Sequence, residues 1–122
     1  HPDHIACSGL VEEAVFNAKL RRYMPELPPA TVSQTYFYFI NDLGRADLTV
    51  DVTEYYAEKE ASLRCYASQF TGPTQGSDAV ATPLTAQYVE RVKARDSLLG
   101  QKCGIGYAEG FASRLPHKVH LF

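Results

Sequence analysis

No run of apolar residues in this 122-residue sequence approaches the roughly 18 that a membrane-spanning helix requires. Neither charge is in excess, because 12 Lys and Arg residues stand against 14 Asp and Glu residues. A basic stripe interleaved with aromatic residues, typical of nucleic-acid-binding modules, is also absent. With 45% hydrophobic residues the composition is not that of a disordered tail. We therefore expect one domain with no membrane or nucleic-acid partner.

Cysteine is scarce, with three residues at Cys7, Cys65 and Cys103 and no Cys-x-x-Cys pair. An odd, scattered set argues against a disulfide framework and favours a reducing compartment, so we predict a cytoplasmic protein. The spacing is unlike that of a zinc finger, and we expect the three thiols to be small buried hydrophobic groups.

Residues 4–22 have the periodicity of an amphipathic helix. Asp3 is placed to cap its first turn, and Pro2 restricts His1 to an extended backbone. The apolar positions follow the i, i+3, i+4 pattern of a single packed stripe. They are Cys7, Leu10, Val11, Ala14, Val15 and Ala18.

Two strands and two more helices are predicted beyond this helix. Residues 35–40 favour a strand buried on both faces, and residues 48–52 a shorter one. A helix of about four turns begins at Thr53 with Tyr56, Leu63 and Ala67 inward, and another opens at Thr82-Pro83. The second of these has an apolar stripe that comprises Leu84, Tyr88, Val92 and Leu99.

Residues 71–81 have the composition of a loop, and residues 119–122 are a candidate final strand. Two or three short strands cannot make a covered sheet alone, so the order of elements predicts an α/β fold of which the first strands are absent. The sequence begins at His1 rather than at methionine, and we expect that it was processed or cut from a longer protein.

The strongest chemical signal is His1-Pro2-Asp3-His4. On a helical wheel His4 falls among the apolar positions, and a neutral imidazole on that packed side is a natural zinc ligand. His1 is expected at the end of a preceding strand, where open α/β sheets place their active sites. Asp3 either orients an imidazole or simply caps the helix.

The same spacing recurs at His117 and His120, which we interpret as tail residues because residues three apart in a strand face opposite sides. Catalytic zinc takes three protein ligands, and only His4 is a convincing ligand in this sequence. The chemistry encoded by these residues is therefore incomplete.

The motif His1-Pro2-Asp3-His4, followed by Leu10–Ala14, resembles the LmbE/PIG-L family of zinc-dependent N-deacetylases. The resemblance continues in order through Tyr66–Phe70, Thr82–Leu84 and Tyr107–Phe111, and so covers essentially the whole chain. These later segments most resemble the bacillithiol-biosynthesis branch, which deacetylates N-acetylglucosaminyl-malate. The resemblance implies an α/β, Rossmann-like three-layer domain with zinc at the carboxyl edge of its sheet, of which residues 1–122 are the C-terminal part.

The resemblance also implies roles for individual residues. His4 matches a zinc ligand, and His1 matches the histidine that stabilises the tetrahedral intermediate with Asp3 as its partner. Tyr88 matches the tyrosine that polarises the acetyl carbonyl. The family's N-terminal His-Pro-Asp-Asp motif, which supplies two more zinc ligands and the general base, is missing from this sequence. An active enzyme is therefore implied for the complete protein, and an inactive one for residues 1–122 alone.

Arg95 borders the same apolar stripe as Tyr88, and a buried guanidinium needs a carboxylate partner. We predict that this partner is Glu109 or an acidic group of the substrate, unless the stem of Arg95 packs while its head reaches water. The implied partners are an N-acetylated sugar and, because the family tends to oligomerise, further copies of the same chain.

Three alternatives stay open. The same chemistry can act on another N-acetylglucosaminide, or the chain can be a non-catalytic truncated homologue that serves as a binding or assembly module. For Tyr88 the alternative is a core tyrosine on the apolar stripe of its helix.

Overall fold

The computed structural model describes residues 1–42, 44–70, 82–85 and 87–116. The chain divides into two compact units, His1–Thr35 and Tyr36–Phe122. Within the described ranges, no helix is both long enough and apolar enough to cross a bilayer. The predicted loop at 71–81, the candidate strand at 119–122, His117 and His120 lie outside the described residues.

The first unit is built on helix α1, Pro2–Asn17. Pro2 opens the first turn, where a missing N–H costs nothing, and His1 is the N-cap whose Nδ1 accepts a hydrogen bond from the Asp3 amide at 3.3 Å. The prediction that Asp3 caps the helix was wrong, because the helix begins earlier and places Asp3 inside its first turn. There the carboxylate still interacts favourably with the positive end of the helix dipole.

The apolar stripe of α1 is not packed. Leu10 is 67% exposed, Val11 is also exposed, and no residue of this helix is buried. The expectation that the stripe and His4 face a packed side was therefore wrong for this structure. Helical periodicity shows that a helix has an apolar face, but the face is buried only where a second layer covers it.

The second unit contains two longer helices, α2 at Tyr56–Arg64 and α4 at Tyr88–Cys103, with the short α3 at Ala67–Phe70 between them. The helix predicted from Thr53 is divided. A 3₁₀ turn forms its first three residues, and the helix is interrupted again between α2 and α3. Tyr56 is buried as predicted and Leu63 is half-buried, whereas Ala67 is exposed.

The last predicted helix begins at Tyr88 rather than at Pro83, because Pro83–Thr85 form a separate 3₁₀ turn. Its apolar stripe is confirmed, since Val92 and Leu99 are buried. The helix ends at Gly104, whose left-handed backbone (φ 74°) forms the C-cap that glycine adopts without steric cost.

Three strands form an antiparallel sheet in the order β1-β3-β2. Strand β1 is Phe37–Tyr38, β2 is Leu48–Asp51 and β3 is Ala108–Ala112. The prediction of β2 is confirmed to within one residue. The strand predicted at 35–40 shrinks to two residues with Tyr38 69% exposed, because it is an edge strand paired only with β3.

Strand β3 was not predicted, yet it is central and its first residue, Ala108, is fully buried. Alanine, glutamate and glycine have low β propensity, so this segment gave no strand signal. Gly110 lets α4 approach the sheet closely, since a Cβ at this position would lie 2.9 Å from Leu99 Cδ2 and 3.1 Å from Ala46 Cβ. The second unit is thus a small antiparallel sheet packed with helices, which confirms the α/β class.

The three cysteine side chains are exposed, so the expectation of buried thiols was wrong. Cys7 lies on the unpacked helix α1, while Cys65 and Cys103 follow or end helices at the surface of the second unit. All three are free thiols.

Candidate functional site

His1, Asp3 and His4 lie together at the N-terminus of α1. His1 Nδ1 is 3.5 Å from Asp3 Oδ2, and the imidazole rings of His1 and His4 are 6.0 Å apart and nearly perpendicular. All three residues are exposed. An unprotonated Nδ1 accepts the Asp3 amide, and a protonated Nδ1 faces the Asp3 carboxylate instead. The Asp3 carboxylate can therefore stay beside the His1 imidazole whether that ring is neutral or protonated.

These residues do not make a zinc site by themselves. Across the described ranges, no three His, Cys, Asp or Glu side chains are grouped so that they could hold a metal ion. Catalytic zinc requires three protein ligands. The segment offers His4 as an accessible imidazole ligand and leaves the remaining ligands unprovided.

Tyr88 is the first residue of α4 and is held on two sides. Its ring stacks on Phe70, with ring centroids 5.6 Å apart and planes 14° apart. Its hydroxyl donates a hydrogen bond to the Ile40 carbonyl at 3.3 Å. The preceding residue, Gln87, has a left-handed backbone (φ 54°), a conformation that is costly for a residue with a Cβ. The chain thus takes an unfavourable turn immediately before this tyrosine.

Arg95 is partly buried, and its guanidinium contacts the neighbouring carboxylate. Arg95 Nε donates to Asp96 Oδ1 at 3.1 Å, and Nη1 donates to the carbonyls of Phe39 and Ile40 at 3.1 and 2.9 Å. The prediction that Glu109 is its protein partner was wrong, because Glu109 pairs with Lys59. The carboxylate partner of Arg95 is therefore Asp96.

A buried polar cluster that the sequence analysis missed surrounds Asp96, which is 2% exposed. Lys59 Nζ donates to Asp96 Oδ2 at 2.6 Å and also to Glu109. The Tyr56 hydroxyl donates to the same Asp96 oxygen at 3.1 Å. Burial, and secondarily the Asp96 charge, raise the pKa of Tyr56 well above its usual range. Every charged member of the cluster therefore has an oppositely charged partner.

The cluster borders a cavity of about 260 Å³ between α2, α4 and the sheet. Its walls are mainly apolar, with Leu63, Val92 and Phe111 among them, while Tyr88 and Arg95 supply polar edges. An apolar pocket with a few convergent polar groups is the usual form of a small-molecule site. Tyr88 and Arg95, which the sequence analysis selected separately, therefore line the same cavity.

The sequence-predicted residues fall into two groups. His1, Asp3 and His4 belong to the first compact unit, and Tyr88 and Arg95 belong to the second. Lys59 and Asp96 gave no usable signal, because charged residues 37 positions apart are paired only by the tertiary fold.

No protein-family model matches the chain. Two solved structures are similar to it. The conserved protein TT1542 from Thermus thermophilus shares 34% sequence identity with a TM-score of 0.80, over 98% of this chain and 49% of that one. GalB, the 4-carboxy-2-hydroxymuconate hydratase from Pseudomonas putida, shares 22% identity with a TM-score of 0.69, over the same fractions. This chain thus spans about half the length of the solved structures it matches.

Proposed function

We propose that this chain is the C-terminal part of a zinc-dependent N-deacetylase of the LmbE/PIG-L type. The proposed substrate is an N-acetylglucosaminide, specifically N-acetylglucosaminyl-malate in bacillithiol biosynthesis. The proposal includes a Rossmann-like, three-layer domain for the complete protein, in the cytoplasm and assembled as a homo-oligomer. The motif resemblance supports it, and because the chain spans only 49% of a solved structure that it matches, the activity is proposed for the complete protein.

The observation that carries the proposal is the His1–Asp3 pair beside His4 at the start of α1. Hydrolysis of an amide produces an oxyanion and expels an amine, so it requires a hydrogen-bond donor and a proton donor at the reacting carbonyl. A histidine with a carboxylate neighbour can serve both purposes, because the carboxylate stabilises its charged form. His1 therefore stabilises the transition state in this proposal, and Asp3 orients and supports it.

His4 is the proposed zinc ligand, because its imidazole is exposed and lies beside the His1–Asp3 pair. Zinc, when bound, supplies a Lewis acid that activates water at neutral pH. In this proposal the other ligands and the general base come from the family's N-terminal motif, which this sequence lacks; among the described residues no group of three His, Cys, Asp or Glu side chains could hold a metal ion.

Tyr88 is proposed to donate a hydrogen bond to the acetyl carbonyl of the substrate. Tyr88 lines the 260 Å³ cavity, and its hydroxyl donates a hydrogen bond to the Ile40 backbone carbonyl, whose residue lines the same cavity. The exchange of that carbonyl for the substrate oxygen would keep the hydroxyl hydrogen-bonded throughout.

Two competing functions keep the same fold. A deacetylase for a different N-acetylglucosaminide would retain the residues above and differ in substrate preference. A non-catalytic binding or assembly module would not respond to changes at His1 or Tyr88. GalB is a hydratase, but a likeness of 22% identity supports the fold and not the activity.

The test measures zinc content and deacetylase activity of the complete protein. His4→Ala is expected to lose stoichiometric zinc by elemental analysis. His1→Ala is expected to retain zinc and to have a lower kcat, because its partner is the transition state. His117→Ala makes the same chemical change elsewhere and should preserve both properties.

Three outcomes would contradict the proposal. Full zinc occupancy in His4→Ala would remove the ligand assignment. Unchanged turnover in His1→Ala would remove its catalytic role. Stoichiometric zinc and N-deacetylase activity in residues 1–122 alone would show that no ligand from elsewhere is needed.

A further inference from the structure

Building on the proposed function, we infer that Arg95 is a positioning residue for Tyr88 and acts through the carbonyl of Ile40. This role differs from the binding of an acidic substrate group that the sequence analysis considered. Arg95 then serves the same proposed reaction without contacting the substrate.

The two side chains meet at one oxygen atom. Tyr88 donates to the Ile40 carbonyl at 3.3 Å, and Arg95 Nη1 donates to the same oxygen at 2.9 Å. A carbonyl oxygen has two lone pairs, so both donors are accommodated together. The position of this oxygen determines where the Tyr88 hydroxyl rests until the substrate oxygen accepts its hydrogen bond instead, and Arg95 makes the shorter of the two bonds to it.

Arg95 also fixes the backbone that carries this oxygen. Its Nη1 atom donates to the Phe39 carbonyl as well, at 3.1 Å. Successive carbonyls in an extended strand point in opposite directions, so one nitrogen reaches both only where the chain has left strand geometry. This happens immediately after β1 ends at Tyr38. Arg95 therefore clamps the two residues that follow the edge strand.

The charge of Arg95 is already neutralised inside the protein. Its Nε donates to Asp96, and the Arg95 side chain is only 19% exposed. An acidic group of a substrate would have to compete with a buried carboxylate for the same guanidinium, at a cost in desolvation. Holding backbone carbonyls requires no such competition, because it uses hydrogen bonds that the folded chain already makes.

The other restraints on Tyr88 do not involve Arg95. The Phe70 ring fixes the plane of the Tyr88 ring, and the left-handed Gln87 sets the direction in which the chain enters α4. Stacking leaves the Tyr88 ring free to slide within its plane, and the bond to the Ile40 oxygen opposes that movement. Loss of Arg95 should therefore let the ring slide and carry the hydroxyl with it, while the two rings stay stacked.

A double-mutant cycle on the complete protein tests this relationship. Arg95→Gln should lower kcat by up to about 10²-fold, the effect of a small misplacement of a reacting group, with a smaller change in KM. In a Tyr88→Phe background the same change should have little further effect, because the hydroxyl that it positions is gone. Arg91→Gln removes the same charge from an exposed position one turn away and serves as the control.

Arg95→Lys distinguishes the hydrogen bonds that Arg95 donates to the Phe39 and Ile40 carbonyls from the effect of its positive charge. Lysine preserves a cation beside Asp96, but its single ammonium lacks the planar fork that reaches Asp96 and both carbonyls. We expect the lysine variant to regain the thermal stability lost in Arg95→Gln and to keep the low kcat. Full recovery of kcat in Arg95→Lys would overturn the inference, as would equal losses in the wild-type and Tyr88→Phe backgrounds.

A measurement independent of activity distinguishes failure of this inference from failure of the proposed function. In protein with ¹³C-labelled tyrosine, the ring signal of Tyr88 should shift in Arg95→Lys and stay unchanged in Arg91→Lys. An unchanged signal in Arg95→Lys would refute the positioning role whatever the enzyme does. A shifted signal in a protein whose turnover does not respond to Tyr88→Phe would instead refute the proposed function.

Discussion

Lys59 and Asp96 form an ion pair between α2 and α4, with Nζ and Oδ2 2.6 Å apart and the carboxylate almost completely removed from solvent. The same ammonium binds Glu109 on β3, so one side chain connects two helices with the sheet. Buried carboxylates are tolerated only when charged or hydrogen-bonding groups satisfy them. Asp96 receives three such partners, namely Lys59, Arg95 and the Tyr56 hydroxyl.

Lys59→Met should destabilise the chain by about 1–3 kcal/mol, because it leaves two carboxylates without their shared cation while retaining an apolar stem of similar length. Thermal or urea unfolding followed by circular dichroism measures this change. Lys93→Met is the matched control, since Lys93 pairs with Glu60 at the solvent-exposed surface and should contribute less. Equal losses of stability in the two variants would show that the Asp96 cluster contributes no more than a surface ion pair.

Tyr88→Phe should lower kcat of the complete protein by about 10²–10³-fold, the usual cost of removing one oxyanion donor. The melting temperature should change little, because phenylalanine preserves the stack on Phe70. Tyr55→Phe removes a hydroxyl from an exposed tyrosine of the same unit and should leave both quantities unchanged. Wild-type turnover in Tyr88→Phe would make Tyr88 a structural residue only.

The pH dependence of stability should have a contribution from Glu60. Hydrogen bonds from Arg64, and then from Lys93, lower the pKa of Glu60 below its ordinary value of 4.5. Because the pKa is lower in the folded state, the stabilisation is fully present above pH 4.5 and is lost as the pH falls through the lowered value. Glu60→Gln should therefore lower the melting temperature at pH 7, and the difference from wild type should disappear once the pH lies below the lowered pKa of Glu60.

Glu54→Gln provides the comparison for this pH series, since Glu54 makes no ion pair among the described residues. Its melting curve should follow that of the wild type at every pH. High salt should reduce the effect of Glu60→Gln, because exposed charges are screened. A difference that persists unchanged at low pH would mean that the Glu60 charge is not its source.

The sequence predicted those elements whose burial follows from local periodicity. The stripe of α4 was correct because Val92 and Leu99 recur at helical spacing and pack on a sheet within the same unit. The equally clear stripe of α1 gave a wrong prediction of burial, because burial requires a second layer as well as a pattern. Strand β3 was missed because its pairing with two neighbours, rather than the propensity of its residues, makes it a strand.

The candidate site was predictable only in part, for a related reason. His1, Asp3 and His4 are local in sequence, so a short motif was enough to bring them together. Arg95 was recognised as needing a carboxylate, but the choice between Asp96 and Glu109 depends on Lys59, which arrives from another helix. Pairings between distant charged residues are decided by the tertiary fold and have no periodic signature.

The exposed stripe of α1 should make residues 1–122 self-associate in solution. Exposed apolar side chains on one helix favour association, because each contact removes apolar surface from water. We expect sedimentation velocity to show a concentration-dependent increase in mass, which Leu10→Glu should weaken by placing a charge on the stripe. Leu115→Glu makes the same change at a leucine of nearly equal exposure, 69% against 67%, outside this helix. Equal weakening by both substitutions would show that general hydrophobicity, and not the α1 stripe, drives association, and a monomer at all concentrations would refute the prediction.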